Sequence, residues 1–124
     1  MLPTHQLHQL HFWDILNLMT SDLPECGVAR FLALLEGPWA TLIVRELLRG
    51  PLRFGELREA LPGISPHTLT SRLRQFAAHG LVIRTAYAEV PPRVEYELTP
   101  LGRELRTVLD AMSTWALAVP TERS

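Results

Sequence analysis

Between residues 53 and 98 the spacing of apolar residues switches once, from the helical repeat of about 3.6 to the strand repeat of about 2. Few folds accommodate that switch in so short a stretch. Phe54, Leu57 and Leu61 mark a short helix closed by Pro62-Gly63. Ser65-Pro66 follows as an N-cap with a first-turn proline, opening a second helix that runs to about His79, where Gly80 stops it. Beyond it, Val94-Glu95-Tyr96-Glu97-Leu98 alternates apolar and acidic residues as a half-buried strand does. Leu81 to Tyr87 supplies the partner strand, and Ala88 to Arg93 a loop stiffened by two prolines. Helix, tight turn, helix, ribbon is the order of a winged helix-turn-helix. The expected fold is mainly α with a small two-stranded antiparallel wing: helix-turn-helix over 53–79, wing over 81–98, and a last helix over 99–118 opened by Thr99-Pro100.

That order has a chemical consequence. The major groove of DNA is wide enough for one helix, and the turn lets the second helix of the pair project into it. On the wheel of the helix at 65–79, Leu69, Leu73, Phe76 and Ala77 fall on one side and face the core. His67, Thr68, Ser71, Arg74 and Gln75 fall on the opposite side, with Arg72 on its flank. This outer face holds donors, acceptors and a cation but no carboxylate, whereas a merely solvated helix face usually mixes both signs. His67, Thr68, Ser71, Arg74 and Gln75 are therefore the expected contacts to base edges. Arg53, Ser65, Arg72 and Arg93 are the expected contacts to the DNA backbone.

The flanks point to self-association. Leu7, Leu10, Phe12, Trp13, Ile15, Leu16, Leu18 and Met19 cover every side of a helical wheel, and such a helix is buried on several sides. In a protein of 124 residues the simplest way to bury it is between two subunits. Val28, Phe31, Leu32 and Leu35 repeat at helical spacing, as do Trp39, Leu42, Ile43, Leu47 and Leu48 after Pro38. The last helix carries one long stripe, Leu101, Leu105, Val108, Leu109, Met112 and Trp115. Residues 1–24 read as an N-terminal helical extension and 25–118 as the DNA-binding domain. Leu7, Leu10, Trp13, Leu105, Leu109, Met112 and Trp115 are the expected homodimer interface.

Charge supports a nucleic-acid partner by its distribution rather than its sum. The net charge is −1, yet residues 63–94 hold Arg72, Arg74, Arg84 and Arg93 against Glu89 alone, while residues 1–36 carry four acids against Arg30. The chain has Arg and no Lys. The planar fork of Arg suits phosphates and guanine edges, but a GC-rich genome produces the same bias, so the segregation of charge is the clue. Apolar runs are interrupted by Asp14, Asn17, Glu36 or Arg45, so no membrane span is expected, and the compartment read from the sequence is a bacterial cytoplasm. Catalysis is not expected: there is no glycine-rich phosphate loop, nucleophile elbow, HExxH or paired-cysteine motif. No cofactor and no metal site is expected, and His5, His8 and His11 read as a polar strip on an interfacial helix. Cys26, the single cysteine, excludes an intrachain disulfide. It stands near a helix start, where the dipole favours thiolate, although Asp22 and Glu25 oppose that effect. Both an inert buried thiol and a redox sensor fit that position.

The run Arg53-Phe54-Gly55-Glu56-Leu57, then Leu61-Pro62-Gly63-Ile64-Ser65 and Gly80-Leu81-Val82, resembles the HxlR-type family of bacterial transcription regulators. The stretch Val90 to Tyr96, followed by Leu98-Thr99 and Gly102, is similar to that family's most recognisable segment, and Trp39, Ile43, Leu47 and Gly50 match as well. The resemblance covers roughly residues 26–116 and implies a winged-helix homodimer, related in architecture to the MarR group and paired through its terminal helices. It makes 65–79 the recognition helix and 88–93 the wing loop. It also implies a role for Cys26 in sensing oxidants or electrophiles, as some members do with an N-terminal cysteine. The chain departs from the pattern at Pro38, at His67 and in the acid-free end of the recognition helix, and residues 1–24 have no clear counterpart. The resulting reading is a sequence-specific regulator of double-stranded DNA, a repressor at a pseudo-palindromic operator. Its alternatives are a winged-helix protein-interaction module, or a regulator controlled by a small ligand at the dimer seam.

Overall fold

A computed structural model of the chain describes residues 23–122. The described residues belong to two compact units, one ending at Gly37 and the other beginning at Pro38. The interface residues expected at Leu7, Leu10 and Trp13, and the strip His5, His8 and His11, lie outside the described residues.

Among the described residues the first unit presents one helix, α1 (Gly27–Leu34), with Cys26 as its extended N-cap. Arg30 donates from Nε to the carbonyl of Pro24 at 2.6 Å and ties the entry segment to the helix. The expected stripe does not form a core: Val28 and Leu32 are exposed, and Leu35 is buried. The helix stops at Leu34, and Leu35 takes φ −118° and ψ 47°, outside the helical region.

The second unit holds α2 (Ala40–Leu47), β1 (Leu52–Arg53), α3 (Phe54–Ala60), α4 (Pro66–Ala78), β2 (Val82–Tyr87), β3 (Arg93–Leu98), α5 (Pro100–Arg103) and α6 (Leu105–Leu117). Ile43, Val44 and Leu47 from α2 join Leu57 from α3, Leu69, Leu73 and Phe76 from α4, and Val82 and Leu98 from the sheet in a buried core. Ala77, expected in that core, is exposed instead. It follows Phe76 by one residue, and the tight centre of the stripe lies at Leu69, Leu73 and Phe76, which leaves Ala77 at its edge.

The sheet has three strands rather than two, in the order β1-β3-β2, all antiparallel. Gly50, at φ 140°, reverses the chain after α2 and brings Leu52 opposite Tyr96 and Arg53 opposite Glu95. A strand of two residues has no period to read, which is why the sequence does not announce it. The last helix is also divided. Glu104 separates α5 from α6, and Thr99 caps α5 by accepting from the N–H of Gly102 at 3.0 Å. Among the described residues no helix is long and apolar enough to cross a membrane.

Candidate nucleic-acid interface

The helix pair is fixed by local chemistry at both starts. The Arg53 N–H donates to Glu56 Oε1 at 2.8 Å, which opens α3. Gly63 turns the chain at φ 95°, beside the ring of Trp39. At the start of α4, Ser65 Oγ accepts from the Thr68 N–H at 3.0 Å and donates to Thr68 Oγ1 at 2.9 Å. Pro66 stands in the first turn, where its missing N–H costs nothing.

With Leu69, Leu73 and Phe76 buried, the opposite side of α4 is turned to solvent. His67 and Arg74 are exposed there, Ser71 is half-buried between them, and α4 contains no acidic residue. Thr68 and Gln75 are half-buried on one flank. Gln75 Oε1 accepts from Arg72 Nη1 at 3.2 Å, so Gln75 has its amide hydrogens left to offer and Arg72 is steered along the helix. Arg72 Nε is buried without a hydrogen-bond partner.

The wing treats its charges unequally. Arg93 donates to Glu95 Oε1 and to Glu89 Oε1, each at 2.9 Å, and its guanidinium lies 3.9 Å from the centroid of the Tyr87 ring. Strand alternation explains the grouping: Arg93, Glu95 and Tyr87 share one face of the ribbon, because Tyr87 is registered opposite Arg93. Arg84 is registered opposite Tyr96, on the other face, with buried Val82 and Leu98. Arg84 is exposed, and its side chain makes no ion pair among the described residues. The sequence counts Arg84 in its basic stretch but cannot place it, since only the register tells which face it takes.

Of the expected interface residues within reach, Met112 and Trp115 are 45% and 73% exposed, Leu105 and Leu109 are half-buried, and α6 buries none of its side chains fully. Leu109 and Met112 border an open groove of about 700 Å³ between α2 and α6. Arg106 closes one end by donating to the Leu48 carbonyl at 2.8 Å. Cys26 is exposed among the described residues. The thiol makes no capping hydrogen bond, but the backbone N–H groups of Ala29, first, and Val28 favour its thiolate and hold its pKa below the ordinary value.

A profile of HxlR-like helix-turn-helix proteins matches residues 34–123, which include every element just described from α2 to α6. The chain belongs to the HxlR-like helix-turn-helix family. An uncharacterized HTH-type transcriptional regulator of Synechocystis is 51% identical over 70% of this chain, which spans 64% of that relative's length. Among solved structures, a MarR-family regulator from Porphyromonas gingivalis superposes with a TM-score of 0.72 at 36% identity, covering 80% of this chain and 97% of that one. The oxidized form of the redox regulator HypR superposes with a TM-score of 0.71 at 35% identity, covering 77% and 99%. This HxlR-like chain carries the winged helix-turn-helix domain of transcriptional regulators and not the fold or family of an enzyme.

Proposed function

We propose that this HxlR-like protein is a homodimeric repressor that binds a pseudo-palindromic operator in double-stranded DNA and responds to oxidants or electrophiles through Cys26. The observation that carries the reading is the outer face of α4, where His67, Ser71 and Arg74 stand free of any carboxylate on a helix held in place by three buried anchors. Each subunit presents one α4 to a major groove, with half-sites about one helical turn apart or a multiple of it. His67, Thr68, Ser71, Arg74 and Gln75 meet base edges. Arg53, Ser65 and Arg72 hold phosphates, and Arg93 joins them only by exchanging Glu89 or Glu95 for the DNA.

Residues 25–118 form the DNA-binding domain in this reading, and residues 1–24 extend the dimer interface that α6 begins. The redox part rests on an exposed Cys26 whose thiolate is favoured, and on likeness to HypR, a redox regulator. Thiolate is the nucleophilic form, so Cys26 is primed for attack on an electrophile or for a disulfide with a second thiol.

Fluorescence anisotropy on the DNA upstream of its own gene and on a scrambled duplex tests both parts. A preference of about a thousandfold for the native duplex is expected for an operator-binding regulator. A thiol oxidant should change that affinity, and Cys26→Ser should abolish the change. A response that survives in Cys26→Ser removes the sensor role. Equal, weak affinity for both duplexes, and for genomic fragments selected in parallel, removes the operator.

A further inference from the structure

We propose that the notch between α4 and the wing is a binding site for one phosphodiester of the DNA strand bordering the groove that α4 enters, with Arg84 as its cation. The inference rests on the DNA-binding reading above and gives it a residue outside the recognition helix.

The notch encloses about 380 Å³ and is lined by Thr70, Leu73, Arg74 and Ala77 from α4 and by Arg84 and Tyr96 from the sheet. Leu73 is its buried floor, and the small side chain of Ala77 leaves its mouth open. Each of its polar residues offers a donor: two hydroxyls and two guanidinium groups. None is a carboxylate. Two guanidinium groups in one depression repel each other, so the arrangement is poorly matched to itself and well matched to an anion.

Four arginines elsewhere are held by carboxylates. Arg45 and Arg49 share Glu46, Arg93 holds Glu89 and Glu95, and Arg103 lies 3.9 Å from Glu97. Arg74 and Arg84, like Arg30, Arg53, Arg58, Arg72 and Arg106, have no ion pair among the described residues, but of these only Arg74 and Arg84 share one depression. The register produces the difference, because Glu95 and Glu97 alternate onto the face of β3 opposite to Tyr96 and away from the notch. The anion is assigned to duplex DNA rather than to a free phosphate because the notch shares Arg74 with the outward face of α4. A strand lying along that helix passes Arg74, which borders the same notch as Arg84.

The test uses the full-length protein, a duplex that the wild type selects from a randomised DNA pool, and a scrambled duplex of the same composition, titrated over a salt series. Arg84→Gln should weaken both complexes by the same factor, about tenfold per subunit for a lost charged hydrogen bond and so about a hundredfold for the dimer. It should also lower the magnitude of the salt slope by about 1.8, one phosphate being lost in each subunit of the dimer. Arg84→Lys keeps the cation and should restore the slope, which separates a lost contact from a damaged wing. An unchanged slope in Arg84→Gln beside salt-dependent wild-type binding overturns the phosphate site and leaves the DNA reading standing. So does a loss confined to the selected duplex, which would make Arg84 a reader of bases. Failure of the wild type to select any duplex overturns both.

Discussion

At the scale of single residues, Gly102 decides more than its size suggests. It sits inside α5, where alanine is ordinarily the better helix former by about 1 kcal/mol. A Cβ at that position, however, would fall on the carbonyl oxygen of Leu81 and come within 3.0 Å of Leu98 Cδ2. The Leu81 carbonyl has little freedom to retreat, because it accepts the N–H of Thr99 at 3.0 Å and continues into β2. Backbone cannot give way as a flexible side chain does, so the clash outweighs the propensity gain. Gly102→Ala is expected to lower stability by about 2 to 3 kcal/mol, the cost of overpacking a fixed site. Urea unfolding measures it, and a variant as stable as the wild type would show that α5 can slide off the sheet. The same scale separates Arg84 from Arg93, which a sequence presents as equals. One is left with hydroxyl neighbours in an open notch, and the other is held by two carboxylates and an aromatic face.

At the scale of elements, the recognition helix depends on its first turn. Ser65 meets Thr68 through both the backbone N–H and the side-chain hydroxyl, in a turn with no acidic residue to complement the helix dipole. Ser65→Ala is expected to cost about 1 kcal/mol of stability, the usual worth of such a cap. Ser65→Asp should recover that stability while placing a carboxylate beside the DNA face, so its operator affinity should fall while its melting temperature does not. Parallel loss of stability and affinity in both variants would make Ser65 a cap with no electrostatic bearing on DNA. This helix was legible in the sequence because every signal for it is local: the cap, the first-turn proline, three apolar anchors and a stop at Gly80. The wing was legible in outline for the same reason, through the alternation from Val94 to Leu98. What the sequence withheld is non-local. The pairing of Leu52 with Tyr96 and the faces taken by Arg84 and Arg93 depend on register between distant segments. Composition placed Arg84 in a basic stretch, but only pairing across the ribbon turns it towards α4.

At the scale of the whole molecule, two facts favour a dimer. A chain of net charge −1 gains attraction for DNA only by segregating charge, and one α4 per molecule offers a small contact surface. Doubling that surface on a rigid pair raises affinity by about a hundredfold or more without any new contact. The second fact is α6, which extends for about 20 Å at the usual helical rise and buries no side chain fully. Val108, Met112 and Trp115 are 40%, 45% and 73% exposed along one face of it, an apolar surface of the kind that marks an interface. Because Trp115 is so exposed, Trp115→Glu should leave the fold of the second unit intact, with unchanged far-ultraviolet circular dichroism. Sedimentation should find the wild type at twice the 14.0 kDa chain mass and the variant at the single mass. Operator affinity should drop by about a hundredfold or more in the variant, while binding to an isolated half-site changes little, because each α4 and its notch are untouched. If the variant remains dimeric, the seam lies elsewhere and α6 serves another contact. If the wild type is itself monomeric at tens of micromolar, the apolar face of α6 needs a different partner and the pseudo-palindrome loses its physical basis.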